Sequence, residues 1–141
     1  MQMKKLQLRS PSAWTMFIFG ALALILGLVG IFRPEWTLAL LGFTITEAAA
    51  RLPGDYTLTF ITASSMASFN MGVYYILAAL TNWQDFFRWT VPFRVVTFTV
   101  FSLAVLRGIA PAGFLGIAVW ELTGAIVTGL ALWQEGRKHG G

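Results

Sequence analysis

The chain has 141 residues, of which 57% are hydrophobic, 11% are charged and none is cysteine. An ordinary soluble domain is about one quarter charged, and a globule of this size has too little interior to bury so large an apolar excess. Disulfides, thiolate catalysis and cysteine-held metals are excluded, and the composition points to a membrane.

The first predicted element is an apolar run over 13–32, twenty residues without a charge. At 1.5 Å per residue it is about 30 Å long, the thickness of the hydrocarbon core. A basic head with Lys4, Lys5 and Arg9 precedes it, as in a signal peptide. The run is longer than a signal core, and no small-residue cleavage site stands before Arg33, so it reads as a retained helix.

The segment 34–53 is too long for a simple bundle connection. Its apolar stretch Leu38 to Phe43 cannot span a membrane. Thr46 before Glu47-Ala48-Ala49-Ala50-Arg51 predicts a short capped helix with an i,i+4 ion pair, stopped by Pro53-Gly54. The segment reads as a lid on the bilayer surface or as an interfacial tether that shields helix ends.

Three further runs follow, at 57–80 with Asn70, at 90–106 with Arg94 and at 112–133 with Glu121. Pro92 is expected in the first turn of its helix, where a missing N–H costs little. Trp14, Trp36, Trp83, Trp89 and Trp133 fall near predicted helix ends, as an aromatic belt requires, whereas Trp120 does not. The connections 81–89 and 107–111 are short, so the helices they join should pack antiparallel. The expected fold is all-α: one transmembrane domain over 1–141, an antiparallel bundle of four transmembrane helices.

Orientation follows from Lys and Arg. Lys4, Lys5, Arg9, Arg88, Arg137 and Lys138 fall on the side of both termini, against Arg33, Arg51 and Arg107 on the other. That asymmetry places both termini in the cytoplasm, with the bacterial inner membrane as the expected location. It also accounts for the ten Lys and Arg against six Asp and Glu. No basic run is interleaved with aromatics, so nucleic acid is not an expected partner.

Polar residues inside a membrane are costly and need partners. Glu121 and Asn70 lie near the centres of their helices, and Arg94 lies within side-chain reach of the middle. Ala118, Gly124 and Ala125 flank Glu121, a face small enough for another helix to approach. Asn70 shares a stripe with Ala63, Ala67 and Tyr74, and Thr90 and Thr97 lie on the face of Arg94. An Arg94–Glu121 pair with Asn70 as third member is expected, either as structural glue or as a proton or substrate site. Tyr74, Thr97 and Ser68 are candidate ligand-binding residues. His139, in the tail Arg137-Lys138-His139-Gly140-Gly141, reads as solvated. No nucleotide loop, helical HExxH or haem-type histidine pair occurs, and neither a metal nor another cofactor is expected.

Phe32-Arg33-Pro34-Glu35-Trp36 running into Leu38-Ala39-Leu40-Leu41-Gly42 resembles the first connection of small DoxX-like membrane proteins. Met71-Gly72-Val73-Tyr74-Tyr75-Ile76-Leu77, then Phe87-Arg88-Trp89-Thr90-Val91-Pro92-Phe93-Arg94, and a Gly-rich last helix with Glu121 follow in the same order as in that group. The resemblance covers nearly the whole chain. It implies the four-helix architecture and, for some members, a place as a membrane subunit of larger oxidoreductase assemblies.

The leading functional expectation is an accessory or structural subunit of a larger membrane complex. Its partners would be the lipid bilayer and either other membrane subunits or further copies of itself. Two alternatives stand beside it: an oligomeric small-solute transporter or channel with Glu121 and Asn70 at mid-membrane, and a membrane enzyme using Glu121 as general acid or base with Arg94.

Overall fold

A computed structural model describes residues 7–139, except for the side chains of Ala48 and His139. Lys4 and Lys5, which enter the charge count, therefore lie outside the described residues, as do Gly140 and Gly141. The described residues form five α-helices: α1 (Pro11–Phe32), α2 (Pro34–Leu40), α3 (Thr57–Thr81), α4 (Gln84–Leu106) and α5 (Phe114–His139), with one 3-10 turn at Ala48–Ala50.

Three of these, α1, α4 and α5, are long and apolar enough to cross a membrane. The expected count of four is not reached. The run at 57–80 does form a helix, with 25 residues, but it is not among the helices apolar enough to cross. Its four threonines, three serines and Asn70 dilute its apolar content.

Helix α4 begins six residues before the expected 90, because Gln84, Asp85 and Arg88 lower hydropathy without opposing a helix. Asp85 in its first turn favours the helix dipole and pairs with Arg88 at 3.1 Å. Pro92 is thus inside the helix rather than in its first turn, and it lies at the exposed surface. Helix α5 starts at Phe114, two residues after the expected 112, and runs on through the polar end to His139.

The connection 34–53 also differs from expectation. Pro34 at N1 and Glu35 in the first turn start a helix at once after the break at Arg33. The alanines reach only a single 3-10 turn, and Arg51 Nε donates to the carbonyl of Thr46 at 3.1 Å. Leu38 and Leu41 are buried, and the backbone of Leu41 passes so close to Gly113 that a Cβ there would collide with it. Phe43 meets Phe114 edge-on at 5.9 Å, so the connection is packed onto the start of α5.

The helices pack as two antiparallel pairs, α1 with α3 and α4 with α5, and the pairs meet chiefly through α1 and α5. Glycines set the first pair. A Cβ on Gly27 would stand 2.5 Å from the backbone nitrogen of Phe69, and one on Gly72 would stand 2.5 Å from that of Leu24. Ser68 Oγ donates across this seam to the carbonyl of Ala23 at 2.9 Å.

The expected antiparallel packing of the 57–80 helix on its successor is not found, despite a two-residue connection. Asn82, with φ +51°, ends α3 in a left-handed turn, with Trp83 N–H bonded back to the carbonyl of Ala78. The chain is thereby redirected, and α3 and α4 meet through long side chains such as Tyr75 and Phe86. Beside that contact lies an apolar cavity of about 240 Å³, lined by Tyr74, Leu77, Ala78, Thr81, Trp83 and Phe86.

Candidate functional site

The most costly residue in this structure is Arg94, a cation only 2% exposed near the middle of α4. Every long helix contributes to its surroundings. Phe19 of α1 lies 4.1 Å from the guanidinium carbon by ring centroid, and Tyr75 of α3 lies 5.0 Å away. Aromatic faces are negative, so both attract the cation. Trp120 of α5 rests against the Phe19 ring at 4.3 Å, which gives this tryptophan a place away from the helix ends.

Glycine makes the site possible. A Cβ on Gly124 would overlap Nη1 of Arg94 and stand 2.7 Å from the Phe19 ring. The hydrogen atom of Gly124 therefore leaves the volume that the guanidinium occupies. Glu121, one turn earlier on α5, brings Oε2 to 3.8 Å from Arg94 Nε. That is an ion pair without a hydrogen bond. None of the three guanidinium nitrogens has a hydrogen-bond partner among the described residues. The carboxylate side chain is a quarter exposed, so the pair is closed on the arginine side and open on the glutamate side.

The pairing of Arg94 with Glu121 read from the sequence is thus present as proximity. Asn70 is not a member of the site. The face of α3 that packs on α1 carries Ser65, Ser68, Gly72 and Ile76, and helical spacing turns Asn70 to the opposite side. No hydrogen bond reaches its amide among the described residues. Tyr74 lies on that outward side and is 54% exposed; its neighbour Tyr75 is the tyrosine that meets the cation. Thr97 donates to the carbonyl of Phe93 at 3.1 Å, one turn back on its own helix, and Ser68 is taken up in the α1–α3 seam. Thr90 is buried against Phe87 and Met16.

Sequence reasoning missed the aromatic partners. Gly124 was visible as a small neighbour of Glu121, but Phe19 and Tyr75 are two aromatics among twenty-one. It also missed a polar cluster where the N-terminus of α1 meets the C-terminal end of α5. Ser12 donates to Glu135 through its N–H (2.7 Å) and its hydroxyl (2.8 Å). Gln84 Nε2 donates to the same carboxylate at 3.1 Å, and Ser10 Oγ donates to Asn82 Oδ1 at 2.7 Å. One carboxylate thereby satisfies a backbone N–H in the first turn of α1 and ties the Gln84 side chain of α4 to the same point. Ser10 is also the N-cap of α1, where its hydroxyl accepts from the N–H of Ala13 at 3.1 Å.

Comparison of the chain with protein-family models, with curated proteins and with solved structures finds no match in any of the three.

Proposed function

We propose that this chain is an integral membrane protein in which α3 crosses beside the three more apolar helices, and that it serves as an accessory subunit of a larger membrane complex. The observation that carries this reading is the Arg94 junction. One side chain is contacted by α1, α3 and α5 while rooted in α4, and the space around it is filled by rings and backbone. Such a centre holds helices in place. The outer faces carry the large apolar residues, among them Ile25, Phe60, Phe93, Val96 and Ile126, available to lipid or to other subunits.

Support for a spanning α3 comes from its 25 residues without a charge and its close seam with α1 along most of its length. Serines and threonines in such a helix satisfy themselves on nearby carbonyls, as Ser65 does on Ile61 at 2.7 Å. With four spans the termini share a side, and the positive-inside rule assigns that side to the cytoplasm of a bacterial inner membrane. The DoxX-like resemblance implies the same architecture and, for some members of that group, a subunit role of this kind.

Gentle detergent extraction of the native membrane tests the role: the chain should leave with other subunits attached, and recovery as a folded, unaccompanied protein overturns it. Single cysteines test the topology. An impermeant thiol reagent applied to intact cells should label Gly54→Cys and spare Ser10→Cys.

A second reading has one observation in its favour. The guanidinium has no hydrogen-bond acceptor among the described residues and the Glu121 side chain is a quarter exposed, an arrangement able to admit water or a proton at Glu121. A stable Glu121→Gln variant that loses activity while keeping its partners would select that reading.

A further inference from the structure

We infer that the outward face of α3 is a self-association surface, on which a second copy of this chain docks with Asn70 against its own counterpart. The inference rests on the spanning α3 proposed above. The face is defined by the residues opposite the α1 seam: Phe60, Ala63, Ala67, Asn70, Tyr74 and Leu77, at spacings of three and four. Phe60 is 74% exposed, and Ala63, Ala67 and Leu77 are exposed as well.

Two independent properties of this face select the occupant. The first is the amide of Asn70, without a hydrogen-bond partner among the described residues and near the middle of a 25-residue helix. An amide carries both donors and an acceptor, so two of them complete each other. A lipid tail offers neither group.

The second is symmetry. All copies insert the same way up, so a two-fold axis along the membrane normal sets each residue beside its equivalent at the same depth. Asn70 then meets Asn70 with no adjustment of register. Ala63 and Ala67, on the turns before it, let the two helices come close enough for that hydrogen bond. The polar surface is also confined. Ser65 and Ser68 are committed to carbonyls within the pair, which leaves Asn70 as the amide of this face, with the Tyr74 hydroxyl one turn further along.

The absence of cysteine makes the test direct. The full chain, carrying one cysteine at a time in place of Ala67, Tyr74, Met71 or Val73, is oxidised in its own membrane at low expression. Disulfide-linked dimers should form at Ala67→Cys and Tyr74→Cys and be several-fold weaker at Met71→Cys and Val73→Cys, which stand to either side of the face. Adding Asn70→Leu should reduce the Ala67→Cys yield several-fold, and Asn70→Gln, with the same amide, should retain most of it.

Equal yields at all four positions would mean random collision and would overturn the inference, as would an Asn70→Leu variant that crosslinks undiminished. A crosslink from Ala67→Cys only to a different polypeptide would overturn it in favour of another subunit. The same cysteines report on the underlying reading. If an impermeant maleimide reaches Ala67→Cys freely, α3 does not span and the four-span proposal fails. If the cysteine is shielded but yields no dimer, the self-association surface alone is wrong.

Discussion

Two of the places where the molecule joins its helix pairs do so by opposite chemistry. At the end where α1 begins and α5 finishes, Glu135 accepts hydrogen bonds from the N–H and hydroxyl of Ser12 and from Gln84, at 2.7–3.1 Å. At the Arg94 junction, a buried cation sits between aromatic faces with its carboxylate 3.8 Å away and no hydrogen bond among the described residues. Where water is near, a charge can be held by directional bonds of modest net value. Deep in the bundle its hold rests on attraction without fine geometry, and the cost of losing the counter-charge is far greater. The two sites therefore should respond very differently to the removal of one atom.

The largest response is expected at the junction. Glu121→Gln leaves the guanidinium with aromatic contacts alone and should cost about 3 kcal/mol, the low end of a broken buried pair because the carboxylate is partly exposed. Arg94→Met together with Glu121→Gln should recover much of that loss. The check is a double-mutant cycle on thermal unfolding in mild detergent, and a strictly additive cycle would refute the coupling.

Next comes Gly124→Ala. The added methyl meets Nη1 of Arg94 and the Phe19 ring, and such overpacking typically costs about 1–3 kcal/mol. In an Arg94→Met background the penalty should fall, since the flexible thioether can yield where the planar guanidinium cannot. Unfolding of the two alanine variants, each against its own parent, measures the difference.

At the polar end the effects should be smaller. Ser12→Ala removes one hydroxyl bond but keeps the N–H bond to Glu135, so a loss of about 1 kcal/mol is expected. A loss as large as that at Glu121 would remove the contrast between the two sites.

The smallest effect belongs to Asp55, fully exposed before α3. The side-chain and backbone hydrogen bonds from Thr57 hold its carboxyl below the usual carboxylate range. Its folded value lies under its unfolded one, so its contribution is present above about pH 4 and fades as pH falls through the folded value. Asp55→Asn should slightly flatten the acid side of the stability profile, as read from melting temperature between pH 3 and 6.

Much of this was legible in the sequence, for identifiable reasons. Long apolar runs gave the long helices, since the cost of apolar surface in water and of bare backbone in lipid both act on whole segments. Arg94 and Glu121 were legible as a pair because each is rare and costly at its depth. Asn70 was not, because small flanking residues mark a helix contact without saying whether its partner lies within the chain. The course of the chain at Asn82 was equally hidden: one left-handed residue decides whether adjacent helices pack or part, and hydropathy carries no record of it. The connection was misread for a related reason. Three alanines have helix propensity but no buried face, whereas Pro34–Leu40 has a favourable start and a buried Leu38.

Chain order gives the Arg94 junction a meaning beyond stability. Phe19 and Tyr75 are synthesised before Arg94, and Glu121 after it. Domains emerging from the ribosome organise from the N-terminus onward, and the α1–α3 pair needs nothing downstream to close its glycine seam. If α3 crosses beside α1 as proposed, the arginine enters a membrane in which its two rings already stand and its counter-charge does not yet exist. An ion pair alone would leave that helix stranded at the moment of insertion, whereas the rings receive it at once and the glutamate arrives to finish the work.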